Sequence, residues 1–208
     1  MESVIGPVPD DWQQVPLIDH FSVQTGPGGS SLQKKHLVGT GVPVVNGADL
    51  ADGRIRPPSA RVNPQTRVRL ARYELRAGDV VFARIGQRIK YAPVGAREAG
   101  WLIGGSCIRM RPRGEVSGEY LVCYLSHPGV ADWLSGPLHR QIVPSATAPL
   151  LGALPLVVPP ADVRASIVEV TGVIERKARA HEDVARATRT LLDSVVREML
   201  GGQLHLQD

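Results

Sequence analysis

The chain has 208 residues, of which 43% are hydrophobic and 21% charged, and this composition excludes a disordered or low-complexity protein. Its apolar stretches are far shorter than the roughly 20 residues that cross a bilayer. The first eleven residues also lack the apolar core of a secretory signal. We therefore expect a protein that stays in the cytoplasm and has no membrane partner.

The positive charge is concentrated in one segment of the chain. Residues 54–113 hold 14 lysines and arginines against three acids, a net +11, whereas the rest of the chain carries −7. Thirteen of these 14 cations are arginine, whose planar fork fits phosphate groups and the guanine edge. The pattern favours a nucleic-acid partner, although a solvated, arginine-rich surface would have the same composition.

Between Trp12 and Pro160 the pattern predicts short strands separated by Gly and Pro turns, over residues 42–45, 79–85 and 107–111. In residues 107–111, alternation places Arg109 and Arg111 on one face of the strand, and we expect this face to meet solvent or a ligand. The glycine-rich residues 26–31 lack the lysine of a P-loop and predict a flexible loop. Apolar spacing predicts helices over residues 118–126 and 128–134.

After residue 160 the sequence predicts one long helix. No proline follows, Asp162 suits the first turn, and Gly201 is a natural stop. About 40 residues at 1.5 Å each make a rod of roughly 60 Å, with an apolar stripe that requires a partner helix. The residues predicted to form this pairing stripe, with two polar positions that set register, are Ile167, Val170, Ile174, His181, Val184, Thr188, Leu191 and Val195.

The fold class is therefore α+β: one mixed, mainly β domain over residues 1–158, then a long coiled-coil-type helix and tail over residues 159–208. Because strands and helices do not alternate as βαβ units, a doubly wound nucleotide-binding fold is not expected. The two cysteines, Cys107 and Cys123, are predicted to be packing residues, and the six histidines lack ligand spacing. We predict no metal and no cofactor.

Five segments in order resemble the specificity subunits of type I restriction-modification systems. Residues 8–17 (VPDDWQQVPL) are similar to the family's opening motif, and residues 42–55 to its "ipxvrxgDlxxgxi" segment. Residues 75–86 (LRAGDVVFARIG) resemble the "lxxGDvlxxrxG" signature, and residues 119–125 (EYLVCYL) the "eyLxxyL" helix. Residues 154–160 (LPLVVPP) resemble the entry to the family's spacer helix.

The family usually carries two target-recognition domains and two antiparallel spacer helices, whereas this sequence has one of each and no internal repeat. The resemblance therefore implies a half-length, non-catalytic subunit that forms a homodimer through its helix and reads a bipartite site in double-stranded DNA. It also implies a DNA methyltransferase partner that binds S-adenosylmethionine, which a translocating restriction subunit can join.

Side-chain chemistry then selects the DNA-binding candidates. Arg84, Gln87, Arg88 and Lys90 follow the signature strand, and arginine and glutamine can each make two bonds to a base edge. Phosphate contact is the alternative for each of them. Further candidates for positioning the duplex, or in the case of Asn46 for reading adenine or shaping a turn, are Lys34, Lys35, Asn46, Arg61, Arg67, Arg69, Ser145 and Thr147.

Two other functions remain open. The chain could be a recognition or adaptor component of another DNA-modification or phage-defence assembly, or a helix-docking scaffold whose basic segment binds acidic protein. An enzyme is not expected, because the flanks of Arg56-Pro57-Pro58 and of Val158-Pro159-Pro160 lack the aromatic residue of an amino-methyltransferase motif. A metal-dependent nuclease would need clustered carboxylates, and Glu175 and Lys177 point to different sides of one helix.

Overall fold

The computed structural model describes residues 1–29, 31–86, 88–139 and 144–201. Its contacts divide the chain into two units, residues 1–164 and residues 165–208. The first unit contains all the strands of the described part and five short helices, and the long helix begins in it and makes up the second unit. This mixed architecture confirms the predicted α+β class.

The strands of the described residues are β1 Glu2–Ser3, β2 Gly6–Pro7, β3 Gln13–Pro16, β4 Phe21–Thr25, β5 Leu37–Val45, β6 Leu50–Ala51, β7 Arg54–Ile55, β8 Arg61–Val62, β9 Val80–Ala83, β10 Tyr91–Pro93, β11 Leu102–Ile103, β12 Cys107–Pro112 and β13 Pro155–Val158. The α-helices are α1 Leu17–His20, α2 Pro64–Arg69, α3 Gly118–Leu125, α4 Pro128–His139, α5 Ala148–Gly152 and α6 Ala161–Leu200. Short 3-10 helices lie at Lys34–His36, Gly47–Asp49 and Ala71–Tyr73.

The central sheet has the order β10-β9-β12-β4, and all its neighbours are antiparallel. Strand β9 is buried on both faces, which explains its unbroken apolar sequence Val80–Ala83. A methyl group on Gly118 at the start of α3 would lie 3.4 Å from Val80, so α3 packs closely on one face. Val81 and Ala83 point to the other face, into a core shared with β5, β8 and β11.

The turn before β9 is held by a buried ion pair. Asp79, which is 1% exposed, accepts two hydrogen bonds of 2.7 Å from the guanidinium of Arg111 on β12. Its Oδ2 also accepts from the backbone N–H of Arg76 at 2.8 Å, which closes the turn around Gly78 at φ +86°. The Gly-Asp pair of the signature segment therefore fixes the start of the strand rather than touching a ligand.

The arginine face of β12 is the first expectation that the structure overturns. Arg109 is only 5% exposed and donates to the carbonyl oxygens of Arg72 and Glu74, at 3.1 and 2.9 Å. Arg111 donates to Asp79 and to the same Glu74 carbonyl. Arg109 is buried and Arg111 partly buried because residues 72–79, which precede β12 in the chain, bring carbonyl groups and a carboxylate to them. Alternation within one strand cannot reveal such partners.

The first and last family-like segments pair with each other. Strand β3 lies antiparallel to β13, with Gln13 opposite Val158 and Pro16 opposite Pro155. On α3, Tyr120 donates its hydroxyl hydrogen to the carbonyl of Val157 at 2.7 Å, and Tyr124 to that of Pro155 at 2.5 Å. The two tyrosines of the "eyLxxyL" segment thus anchor the strand that leads into the long helix.

Helix α6 runs for 40 residues, as the sequence predicts, and ends before Gly201. At its start the backbone N–H of Arg164 donates to Pro160 O, and its guanidinium donates to Pro159 O at 2.6 Å. Within the described residues, none of its side chains is fully buried. Helix α4 was predicted to end at residue 134, but it continues to His139. Pro137 lies inside the helix and does not end it.

We predict that Asp79→Ala lowers the free energy of unfolding by about 3 to 5 kcal/mol, because it leaves the Arg111 guanidinium partly buried without its partner. Chemical denaturation measures the loss. Arg56→Ala is the matched control: it breaks an ion pair with Asp52 in which the Arg56 and Asp52 side chains are 60% and 52% exposed, so about 1 kcal/mol or less is expected. Equal losses in the two variants would contradict the structural role of Asp79.

We also predict that stability falls at alkaline pH through Tyr124. Burial raises the pKa of Tyr124 to about 12, whereas an unfolded tyrosine titrates near pH 10. Between these values the unfolded chain releases a proton that the folded chain retains, so the free energy of unfolding decreases as pH rises. Tyr124→Phe should weaken this dependence and cost about 0.5 to 1.5 kcal/mol at neutral pH. An unchanged pH dependence would contradict the prediction.

Candidate nucleic-acid interface

The end of β9 meets the segment before α5. The backbone N–H of Arg84 donates to Ser106 O, and its carbonyl accepts from Ala146 N–H, both at 2.8 Å. Ile85 forms an isolated antiparallel bridge with Ser145. Two of the predicted sites, far apart in sequence, are therefore adjacent, and the backbone of Arg84 is fixed from both sides.

The Arg84 groove is an open cavity of about 370 Å³ beside this point. It is lined by Pro27, Gly28, Gly29, Leu32, Gln33, Leu37, Val44, Asn46, Ala60, Arg84 and Gly105, none of which is acidic. Arg84 is partly buried, and its side chain makes no hydrogen bond or ion pair with any residue in the described part of the chain. An uncompensated charge of this kind is suited to an anionic or hydrogen-bond-accepting ligand.

Glycines allow the walls of the groove to approach each other. A methyl group on Gly26 would lie 2.0 Å from the carbonyl oxygen of Gly104, and one on Gly104 would lie 2.2 Å from Oδ1 of Asn46. Gly104 N–H donates to Val45 O at 2.7 Å. The glycine-rich segment, expected to be a flexible loop, is packed at Gly26. Its glycines are needed for close backbone contact there, whereas Gly28 and Gly29 face open space.

Asn46 contributes to this wall as well as to the groove. Its backbone N–H donates to Oδ2 of Asp49 at 2.8 Å, its side-chain amide donates to Val44 O at 3.4 Å, and its Oδ1 accepts from Ser106 Oγ at 3.4 Å. These bonds favour the turn-shaping interpretation of Asn46. Thr147 likewise acts locally, since its hydroxyl accepts from Leu150 N–H at the start of α5.

The other predicted base readers lie on the connection between β9 and β10. Arg88 and Lys90 are exposed, and the structure shows no partner for either side chain among the described residues. Gln87 lies outside the described residues. Arg88 and Lys90 are therefore available to a duplex, although whether they touch bases or phosphates stays a prediction.

Several of the candidate positioning charges already have bonds within the protein. Arg67 pairs with Glu74 at 3.1 Å, Arg61 donates to Gly41 O, and Arg69 donates to Ser31 O. Arg109 and Arg111 are engaged in the core. Much of the arginine-rich composition of residues 54–113 is therefore structural, and the charge count overstated the cations available for a ligand. Lys34 and Lys35 lie in the 3-10 helix Lys34–His36.

Gln33 is a candidate that the sequence alone did not single out. It is exposed and lines the Arg84 groove, while its backbone N–H donates to Nδ1 of His36. Glutamine can bond adenine with both its amide groups, as arginine can bond guanine. Gln33 and Arg84 are far apart in the sequence and come together only in the fold. The one sequence signal for Gln33 was its position just after the glycine-rich segment.

No metal site or membrane span is evident within the described ranges. There, no three His, Cys, Asp or Glu side chains are grouped so that they could hold a metal ion. No helix in that part of the chain is both long and apolar enough to cross a bilayer. Burial raises the pKa of the Cys107 thiol to about 12, so this cysteine is protonated at neutral pH and packs in the core.

No family model and no curated protein matches the sequence. Solved structures match the fold. A chain from a study of complex assembly and conformational transition of the type I R-M system superposes with a TM-score of 0.66 at 20% identity, over 96% of this chain and 48% of that chain.

Two solved subunits give similar values. The HsdS subunit from Thermoanaerobacter tengcongensis matches with a TM-score of 0.62 at 19% identity, over 96% of this chain and 47% of that one. The type I restriction-modification S subunit from M. genitalium matches with a TM-score of 0.63 at 13% identity, over 91% and 46%. The chain spans about half the length of these structures and has the fold of one half of a type I specificity subunit.

Proposed function

We propose that the chain is a sequence-specific DNA-recognition subunit of a restriction-modification system. The observation that carries the proposal is the Arg84 groove: it holds a partly buried guanidinium with no partner among the described residues, and no acid lines it. In such a position an arginine can bond the O6 and N7 atoms of guanine. The fold shared with type I specificity subunits supports the same function.

Within this function, residues around the groove divide into two roles. Arg84 and Gln33 line the groove and are candidates for base edges, together with Gln87, Arg88 and Lys90, which follow Arg84 in the chain. Exposed cations that do not line the groove, such as Lys35, hold the duplex by its phosphates. The chain itself performs no catalysis, and a methyltransferase partner that binds S-adenosylmethionine modifies the site, with a translocating restriction subunit as a further member.

The proposed subunit acts as a homodimer that reads a bipartite site. Along α6, Val170, Ile174, Val184 and Leu191 are 59%, 62%, 65% and 63% exposed, and their spacing sets them on one stripe. Exposed branched side chains in a row of this length favour a partner surface. Thr188 lies in the stripe, but its hydroxyl donates to Val184 O at 2.9 Å, so an apolar partner would leave no donor unsatisfied.

The occupant that we propose for the stripe is a second copy of α6 in antiparallel orientation. The stripe contains apolar residues together with His181 and Thr188, which is typical of helix pairs in which polar positions set register. Two copies joined in this way would carry two recognition units, and the helix would set the distance between the half-sites.

The DNA-binding prediction is tested by selecting sites from random duplexes with the purified chain. We expect an enriched sequence, and we expect Arg84→Ala to lose about 1 to 3 kcal/mol of binding free energy at one base position and to relax the preference there. Lys35→Ala should weaken all sequences about equally. Arg97→Ala, at an exposed arginine that does not line the groove, is the matched control and should bind as the wild type does. Absence of any enriched site would contradict the proposed function.

The dimer prediction is tested by light scattering at micromolar concentration. The wild type should have the mass of two chains, and the double variant Val184→Glu with Leu191→Glu should have the mass of one, because two charges would enter the apolar seam. Thr190→Glu, which adds a charge at an exposed position on the other side of the helix, should remain a dimer. A monomeric wild type would contradict self-pairing through α6.

A further inference from the structure

A second cationic cavity lies next to the Arg84 groove. It has a volume of about 230 Å³ and is lined by Ser31, Arg69, Leu70, Arg72 and Tyr73. Two of its lining residues are arginines, and none is acidic. We call it the Arg69–Arg72 pocket.

The protein holds both guanidinium groups in place without neutralising them. Arg72 lies over the ring of Tyr73, with its guanidinium carbon 4.6 Å from the ring centroid, and its Nη2 donates to the Tyr73 hydroxyl at 2.5 Å. Arg69 Nη2 donates to Ser31 O at 3.2 Å. The carboxylate of Glu74, close to these arginines in the chain, pairs with Arg67 at 3.1 Å. Because a guanidinium has five N–H donors, most donors of both arginines are left for a ligand.

The positive charge at the pocket affects the neighbouring residue His36. The pKa of the half-buried His36 is lowered, first by desolvation and then by the positive charges of Arg69 and Lys35. His36 Nδ1 accepts a hydrogen bond from Gln33 N–H at 3.0 Å. The positive charges of Lys35 and Arg69 therefore act on the same segment that carries Gln33 to the groove.

We propose that the Arg69–Arg72 pocket is an oxyanion site that holds a backbone phosphate of the DNA whose bases meet the Arg84 groove. This inference rests on the proposed function for its occupant. Two arginines with free N–H edges fit the oxygens of one phosphodiester group. Neither the pocket nor Arg72 is indicated by the sequence, in which Arg72 is one arginine among thirteen in a basic segment.

The choice of a DNA phosphate follows from how the two cavities are connected. Gly28, Gly29, Leu32 and Gln33 line the groove, and Ser31 lines the pocket, so one short segment forms a wall of each. A duplex whose base edge enters the groove would bring its own backbone to the adjoining surface. The pocket would then fix the register in which Arg84 and Gln33 meet the bases, as phosphate contacts do in other complexes.

The salt dependence of DNA binding tests the proposal. We would measure fluorescence anisotropy of the selected duplex from about 50 to about 200 mM KCl with wild type, Arg69→Gln, Arg72→Gln and the double variant. The slope of log K against log [KCl] should decrease in magnitude by about 0.9 for one lost phosphate contact, with the preferred sequence unchanged. Arg176→Gln on α6 removes the same charge elsewhere and should leave the slope unaltered. An unaltered slope in the double variant would overturn the proposal.

A second arm separates this proposal from the proposed function. Titration of the isotope-labelled chain with inorganic phosphate should shift the Nε–H signals of Arg69 and Arg72 and leave that of Arg176 in place. If the wild type selects no DNA site but these shifts occur, the proposed function fails and the oxyanion site stands. If phosphate binds but the DNA salt slope does not change, a free phosphate is the ligand and the DNA occupant is wrong.

Stability controls keep the test interpretable. Arg72 packs on Tyr73, which is 6% exposed, so thermal melting must show that Arg72→Gln folds. If Arg72→Gln does not fold, Arg69→Gln decides the test. Arg69 is exposed, its side chain bonds only Ser31 O among the described residues, and its loss should still lower the slope. An Arg69→Gln variant that folds and keeps the wild-type slope would overturn the proposal.

Discussion

The buried pair between Asp79 and Arg111 is the constraint on which the fold of the first unit, residues 1–164, depends. It joins the turn before β9 to β12, and β9 is an inner strand of the central sheet. Arg111 donates two hydrogen bonds to the Asp79 carboxylate, which is 1% exposed. These bonds hold β9 in the register in which its apolar side chains pack on both faces of the sheet. Arg84 follows β9 directly in the chain. The Asp79–Arg111 pair at the start of the strand therefore helps to determine the position of Arg84 at its end. The Gly-Asp sequence of the signature segment thus fixes the position of the strand, and in the proposed function the residues after the strand would supply the contacts.

The groove next to Arg84 depends on a second constraint, the close approach of three backbone segments. Gly26, Asn46 and Gly104 come so near one another that a methyl group on either glycine would overlap a neighbouring oxygen. This packing allows no larger residue than glycine at positions 26 and 104. It forms one wall of the groove mainly from backbone atoms. A rigid scaffold that carries polar groups at its rim is a common way to position binding residues. The long helix α6 differs from this closely packed wall, because its apolar stripe is exposed. We propose that the stripe serves assembly.

Local patterns in the sequence predicted much of this fold, and long-range contacts account for what they missed. Helix α6, the apolar strand over residues 79–85 and the helix that begins at Gly118 follow from periodicity and from glycine and proline positions, which are local properties. The burial of Arg109 and Arg111 does not, because their partners at Arg72, Glu74 and Asp79 lie 32 or more residues away in the chain. The groove is equally non-local: Gln33, Arg84 and Gly105 come together only in the folded unit. The resemblance to specificity subunits identified the fold, while the choice among individual arginines required their contacts.

The most direct test of DNA recognition at the Arg84 groove is a chemical-shift map of the labelled chain with its selected duplex. The expected result is that the backbone signals of Gly28, Gly29 and Gly105 and the Nε–H signal of Arg84 shift on addition of the selected duplex, and much less with a duplex of unrelated sequence. Arg109, bonded inside the core, should stay unperturbed with both. Sequence-dependent shifts confined to other surfaces of the recognition unit, with the groove signals unchanged, would contradict the assignment of the groove as the reading site.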